Sequence, residues 1–143
     1  MTIASILGSK GSDVFTITLP KTLLDVCSTL REHRIGAILI VDDKGKLAGI
    51  LSERDIVRRI AEHGPDALQA DASECITSNV VTCSPQDTIQ MAMARMSEGR
   101  FRHIPVVEND ELAGMVSIGD LVKRRIADAE REAEDLKNYL YAS

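Results

Sequence analysis

Tryptophan is absent, and aromatic residues make up only 3% of the chain. A core here must therefore be aliphatic, built from Ile, Leu, Val, Met and Ala. No stretch approaches the roughly 20 apolar residues that a membrane-spanning helix requires, so the membrane is not an expected partner. The N-terminal Met1-Thr2-Ile3-Ala4-Ser5-Ile6-Leu7 has neither a basic region nor a long apolar run. A signal peptide is not expected, and the chain is expected to be cytoplasmic. The cysteines are only Cys27, Cys75 and Cys83, widely spaced and without a CxxC or Cys/His pattern. They are expected to be small buried hydrophobes, and no metal site is expected. Positive charge is also scarce: 17 Lys and Arg face 22 Asp and Glu, a net charge of −5. Nucleic-acid binders normally carry a basic face, so nucleic acid is not an expected partner. A small basic pocket for a phosphate remains compatible with that balance.

What is present suits one folded unit: 143 residues, 44% of them hydrophobic and 27% charged. An internal repeat organises them. Val14-Phe15-Thr16 recurs 66 positions on as Val80-Val81-Thr82. At the same offset Thr22 meets Thr88, Glu32 meets Glu98, Arg34 meets Arg100, Ile38 meets Ile104 and Val41 meets Val107. One residue then drops out between Asp42-Asp43-Lys44-Gly45 and Glu108-Asn109-Asp110, a turn, where a length change costs least. Beyond it Leu47-Ala48-Gly49 meets Leu112-Ala113-Gly114, Ser52 meets Ser117, Asp55 meets Asp120 and Val57 meets Val122. The expected division is 1–64, 65–126 and a C-terminal extension, 127–143.

Each copy reads β-α-β-β-α, an α/β (α+β) fold class. In the first, Val14 to Thr18 is expected as a strand, and Thr22 caps a helix carrying Leu23, Val26, Cys27 and Leu30. Gly36 is expected to end that helix region. Ala37 to Val41 is an apolar run of strand length, expected to be buried on both faces, and Leu47 to Leu51 is its return strand. Ser52 caps a helix with Ile56, Val57 and Ile60. The second copy predicts strands at Val80–Cys83, His103–Val107 and Leu112–Val116, a helix from about Thr88 to Ser97, and a last helix from Ile118. A unit of about 60 residues is marginal alone, so the two sheets are expected to pack about a pseudo-two-fold axis, with clefts where they meet. The last helix carries Ile126, Ala129, Ala133, Leu136 and Leu140 on one stripe. It either folds back on its own core or reaches a second subunit.

The chemistry-bearing pattern is Gly-apolar-apolar-Ser-x-x-Asp, as Gly49-Ile50-Leu51-Ser52-Glu53-Arg54-Asp55 and Gly114-Met115-Val116-Ser117-Ile118-Gly119-Asp120. Each places Ser and Asp in the first turn of a helix, whose free N–H groups favour anions. There the Asp can accept both hydroxyls of a ribose diol, and the Ser can donate to a ribose or phosphate oxygen. The same spacing is that of an ordinary capping box, and both uses stay open. Arg102 and His103, at the entry to a buried strand, suit a phosphate. Their counterparts Gly36 and Ala37 supply space for a flat ring, and Arg54 stands where the second copy has Gly119. No P-loop, GxGxxG or HExxH is present. His33 and His63 are expected on helix surfaces, and Glu53 on the solvent side. No catalytic set emerges, so the chain is not expected to be an enzyme.

The duplicated unit, its Gly-x-x-Ser-x-x-Asp ends, and the phrases Ser-Glu-Arg-Asp-Ile and Arg-His-Ile-Pro-Val-Val resemble the tandem CBS-domain, or Bateman, module of small stand-alone bacterial proteins. The resemblance covers nearly all of the chain except the C-terminal arm. It implies a regulatory module that binds an adenine nucleotide between the copies: AMP first, with ADP, ATP, NAD(H) or S-adenosylmethionine as alternatives. It carries the ribose-binding Asp onto Asp120 and Asp55. For the Asp120 cleft it implies adenine near Lys10, Val14 and Phe15, against Ile35, Gly36 and Ala37, with Met115 below and Arg102 and His103 on phosphate. For the Asp55 cleft it implies Thr77, Val81, Phe101 and Ile50, with Arg54 near phosphate; Ile76 stands where the family usually has Met. The family also forms flat dimers, so a homodimer and an effector protein are implied partners. The other class of function is a dimeric scaffold whose pockets are vestigial.

Overall fold

Thr22 and Thr88 occupy the same place in the two copies and start the same element. Each hydroxyl accepts the backbone N–H three residues on, from Asp25 and from Met91, both at 3.1 Å. That satisfies one of the donors a helix start leaves unpaired. In the computed structural model, which describes residues 1–142, these caps begin α2 (Leu23–His33) and α4 (Ile89–Gly99). Both helices end at an arginine in the left-handed region, Arg34 at φ 55° and Arg100 at φ 57°. The expectation that the first helix runs to Gly36 is thus corrected. The Ile35 N–H turns back to the Leu30 carbonyl and the Phe101 N–H to that of Met96, so a Schellman turn closes each helix: α2 at His33, short of Gly36, and α4 at Gly99, two residues beyond the end expected at Ser97.

The first sheet has the order β1-β2-β3, with β1 (Thr16–Ile17) parallel to β2 (Ala37–Val41), and β2 antiparallel to β3 (Leu47–Ser52). The run from Ala37 to Ile40 is fully buried, as its unbroken apolar character requires. After β3 comes α3 (Glu53–His63). The second sheet is the hairpin of β4 (His103–Glu108) and β5 (Glu111–Ser117). The strand expected at Val80–Cys83 does not form. It shrinks to one parallel bridge, Cys83 to Val106, the counterpart of Ile17 opposite Ile40, because Val80 and Val81 turn to line a cavity instead. The first strand is likewise shorter than expected, starting at Thr16. Both hairpins bulge at the same place, between Ile40 and Val41 and between Val106 and Val107. The residue lost between copies is absorbed beyond the bulge, where Asn109 and Asp110 both take positive φ in a two-residue turn.

The β-α-β-β-α pattern has no element before Val14, yet the structure has α1 (Ile3–Lys10). This helix does not pack on the copy that follows it. Ile3 and Ile6 belong to the core formed by Cys83, Ile89, Ala92, Met96, Ile104, Val106, Val116 and Leu121. Reciprocally, Ala72, in the segment between the copies, belongs to the core of Leu23, Val26, Leu30, Ile38, Ile40, Leu51 and Ile56. The hydrogen bonds match pair by pair. The Ile3 N–H donates to the Asp87 carbonyl at 2.9 Å and the Ala72 N–H to that of Lys21 at 2.7 Å; the Ile89 N–H reaches Met1 and the Leu23 N–H reaches Ala70. Each half is thus completed by the segment that precedes the other. Burying a residue such as Ile3, fully inaccessible, contributes about 1.5–3 kcal/mol.

Two glycines at equivalent positions let the exchanged segments in. A Cβ on Gly114 would lie 2.8 Å from a Leu7 methyl of α1, and one on Gly49 would lie 3.1 Å from the Thr77 carbonyl oxygen. The last element, α5 (Ile118–Ala142), buries only Leu121. Ile126 and Leu136 are 54% and 59% exposed, so the helix does not fold back on its own core. No helix among the described residues is long and apolar enough to cross a membrane.

Candidate functional site

The two Ser-x-x-Asp motifs form the same local structure. In each, the carboxylate accepts the serine N–H on its Oδ2, at 2.9 Å for Asp55 and 2.8 Å for Asp120. The aspartate N–H returns to the serine Oγ at 3.3 Å and 3.1 Å. These are capping boxes at the starts of α3 and α5. The cap therefore forms in both copies, and it engages one carboxylate oxygen.

The copies then diverge. Lys10, in the last turn of α1, places its ammonium 2.7 Å from Asp120 Oδ2 and 2.8 Å from the Met115 carbonyl oxygen. Burial pushes the Asp120 carboxyl up, but the Lys10 ammonium and the Ser117 N–H outweigh it and hold the group below its ordinary value. The ion pair with Lys10 and the hydrogen bond from the Ser117 N–H both fall on Oδ2 of this carboxylate. Asp55 has no such lysine; its nearest cation is Arg58, 3.9 Å from Oδ1.

Each aspartate faces a cavity between the halves. The Asp55 cavity encloses about 310 Å³ and is lined by Ile50, Ser52, Arg54, Asp55, Thr77, Val81 and Phe101, the full set expected for that cleft. It also takes Arg58, Arg100 and Arg102, so four arginines line it. Gly99 is required beside it, because a Cβ there would overlap the Phe101 ring. The Asp120 cavity, about 330 Å³, is lined by Lys10, Ile35, Gly36, Ala37, His103, Met115, Ser117 and Asp120. Val14, Phe15, Gly119 and Arg102 do not line it. The Phe15 ring instead stacks on His33, with centroids 4.1 Å apart, and Arg102 turns to the Asp55 cavity. Both cavities draw on both copies.

Arg58 is among the lining residues that were not foreseen, and so are Arg34 and Arg100. Arg34 lines the Asp120 cavity and its counterpart Arg100 the Asp55 cavity, so the left-handed helix end delivers a guanidinium to each. The signal was in the sequence, as an arginine repeated at the same offset, but its direction depends on a backbone turn. Glu53, expected on the solvent side, is exposed yet lies where the cavities meet. Its carboxylate and the His103 ring are each 3.4 Å from where a Cβ on Gly36 would sit. Gly36 and His103 line both cavities. Burial holds the His103 imidazole below its ordinary value, opposed by Glu53 and Asp120 and reinforced by Lys10 and Arg102. Burial thus favours the neutral form of the ring, which can both donate and accept a hydrogen bond. No group of three or more His, Cys, Asp and Glu that could hold a metal occurs among the described residues.

The duplicated fold matches a known architecture. The family model for the CBS domain matches residues 9–62 and again 72–127. The chain belongs to the CBS-domain family. The CBS pair is similar to a CBS-domain containing protein from Agrobacterium tumefaciens, with 42% identity and a TM-score of 0.85 over 87% of this chain and 99% of that one. It is 31% identical to a mitochondrial CBS domain-containing protein of Arabidopsis thaliana, CBSX3, over 97% of this chain and 71% of that one. The CBS domain pair of protein MJ0100, solved in complex with 5′-methylthioadenosine and S-adenosyl-L-methionine, shares the fold at 23% identity, with a TM-score of 0.78 over 90% of this chain and 98% of that one.

Proposed function

We propose that this CBS pair is a regulatory module, not an enzyme, that binds an adenine nucleotide in the clefts between its copies and signals by a change in their relative orientation. One observation carries the proposal: two equivalent aspartates, each at a helix N-terminus, each face a cavity walled by both copies. In each, the carboxylate takes the ribose diol through the oxygen its cap leaves available. The arginines of the Asp55 cavity make it the better site for phosphate, with AMP as the first candidate and ADP, ATP and NAD(H) as alternatives. Ile35, Gly36 and Ala37 offer the Asp120 cavity a flat wall for adenine. The adenosine derivatives held by the MJ0100 pair support the ligand class. A ligand touching both copies favours the orientation in which both contacts are made, and a homodimer or effector would read it.

Isothermal titration with AMP, ATP and NADH tests the proposal. Saturable heat is expected for at least one of them, and silence from a folded protein at millimolar ligand overturns it. A second reading, a dimeric scaffold with vestigial pockets, is favoured by the Lys10 ammonium already seated on Asp120. Truncation after Ile126 separates the two: nucleotide binding that survives while dimerisation is lost assigns the roles to different parts of the chain.

A further inference from the structure

The exposed side of α5 follows a heptad. Val122, Ile126, Ala129, Ala133, Leu136 and Leu140 recur at spacings of four, three, four, three and four, which puts them at alternating d and a positions. The side of the helix turned to its own body is a different one. Leu121 is buried, and Arg124, reaching the Ser5 carbonyl oxygen and Asp128, is half-buried; in the same register these are the c and f positions. The apolar stripe thus points away from the body, with Val122 42%, Ile126 54% and Leu136 59% exposed.

We propose that α5 pairs with α5 of a second copy as a parallel two-stranded coiled coil over Val122–Leu140. Charge decides both the occupant and the direction. The flanking e positions are Lys123, Glu130 and Lys137, and the g positions begin with Arg125 and Glu132. In a parallel pair, a g residue meets the e residue five positions on in the other helix. Arg125 then faces Glu130 of the second copy, and Glu132 faces Lys137, on both sides of the seam. In an antiparallel pair with full overlap, Glu130 faces Glu130, Glu132 faces Glu132, and Lys123 faces Lys137, so every one of these pairings is repulsive. Ala129 and Ala133 let the helices approach closely at the centre, while Ile126 and Leu136 anchor the two sides. The pairing is independent of whether either cavity binds a nucleotide.

The test uses the full chain. Sedimentation equilibrium should show a concentration-dependent dimer, weakened on the order of tenfold or more by the pair Ile126→Asp and Leu136→Asp. Both cores lie outside this stretch, so circular dichroism should show an otherwise intact fold. Glu132→Lys alone should weaken the dimer, and adding Lys137→Glu should restore it. For direction, Leu136→Cys places two thiols face to face only in the parallel pair, and mild oxidation should give a disulfide-linked dimer absent from the unsubstituted chain. A monomer at all concentrations, a dimer indifferent to Ile126→Asp and Leu136→Asp, or a Leu136→Cys variant that does not cross-link overturns the proposal.

Discussion

Lys10 and Asp120, 110 residues apart in sequence, form an ion pair of 2.7 Å. The end of the first helix is thereby tied to the cap of the last. The pair is partly exposed, so it contributes at most about 1 kcal/mol to stability. Its larger effect is positional: it sets Asp120 Oδ2 against the cap and Lys10.

Asp120→Ala should reduce affinity for an adenine nucleotide in the Asp120 cavity by roughly tenfold to a hundredfold, the loss expected for hydrogen bonds to a charged group. The fold should persist, with stability lower by about 1 kcal/mol for the lost cap. Calorimetric titration checks the first and a denaturation curve the second. Unchanged affinity would remove the ribose assignment.

Gly36 touches both cavities, and its backbone φ is not in the left-handed region, so a side chain there is not strained. Gly36→Leu should drive its side chain against Glu53 and His103 and fill the space between the cavities. Both should lose ligand together, whereas Gly99→Ala, through Phe101, should affect only the Asp55 cavity. Titrating both variants with the same nucleotide distinguishes the outcomes.

His103 gives the fold a pH dependence. Its folded value lies below the ordinary 6.5 because burial disfavours the charged form. The unfolded chain therefore binds this proton more readily. The sign follows: stability is full above 6.5 and declines as pH falls from there toward the folded value. The melting temperature should drop over that interval, and His103→Gln should flatten the drop. Asp120 adds a separate acid limb. Its folded value is depressed, so its contribution is present above its ordinary value of 3.8 and is lost as pH falls below it.

Ile3→Ala should destabilise the protein by about 2–5 kcal/mol, the range for truncating a fully buried aliphatic side chain. That is a large effect for a residue so near the N-terminus, where chain ends are usually loosely held. A urea midpoint shift measures it. An effect below 1 kcal/mol would show that α1 is not a working part of the second core.

The repeat made the halves, their hairpins and both Ser-x-x-Asp caps legible, because each rests on local chemistry: apolar runs, capping spacings and turns. Arg34 and Arg100 were visible as a repeated pair but not as cavity residues, since the left-handed turn that aims them leaves no mark in side-chain type. Val14 and Phe15 were expected beside adenine, but Phe15 found a partner in His33 that sequence spacing does not reveal.

The order of residues alone settled that this chain is one unit written twice, with an aspartate at each matching helix start, because periodicity and capping act over a few neighbouring residues. Only the tertiary structure decided which segment completes which half. Ile3 is preceded by Met1-Thr2 and Ala72 by Ala70-Asp71, stretches with nothing in common but their hydrogen bonds. Such an exchange is chosen by the hydrophobic surface each core leaves uncovered. That surface exists only once the strands and helices have assembled.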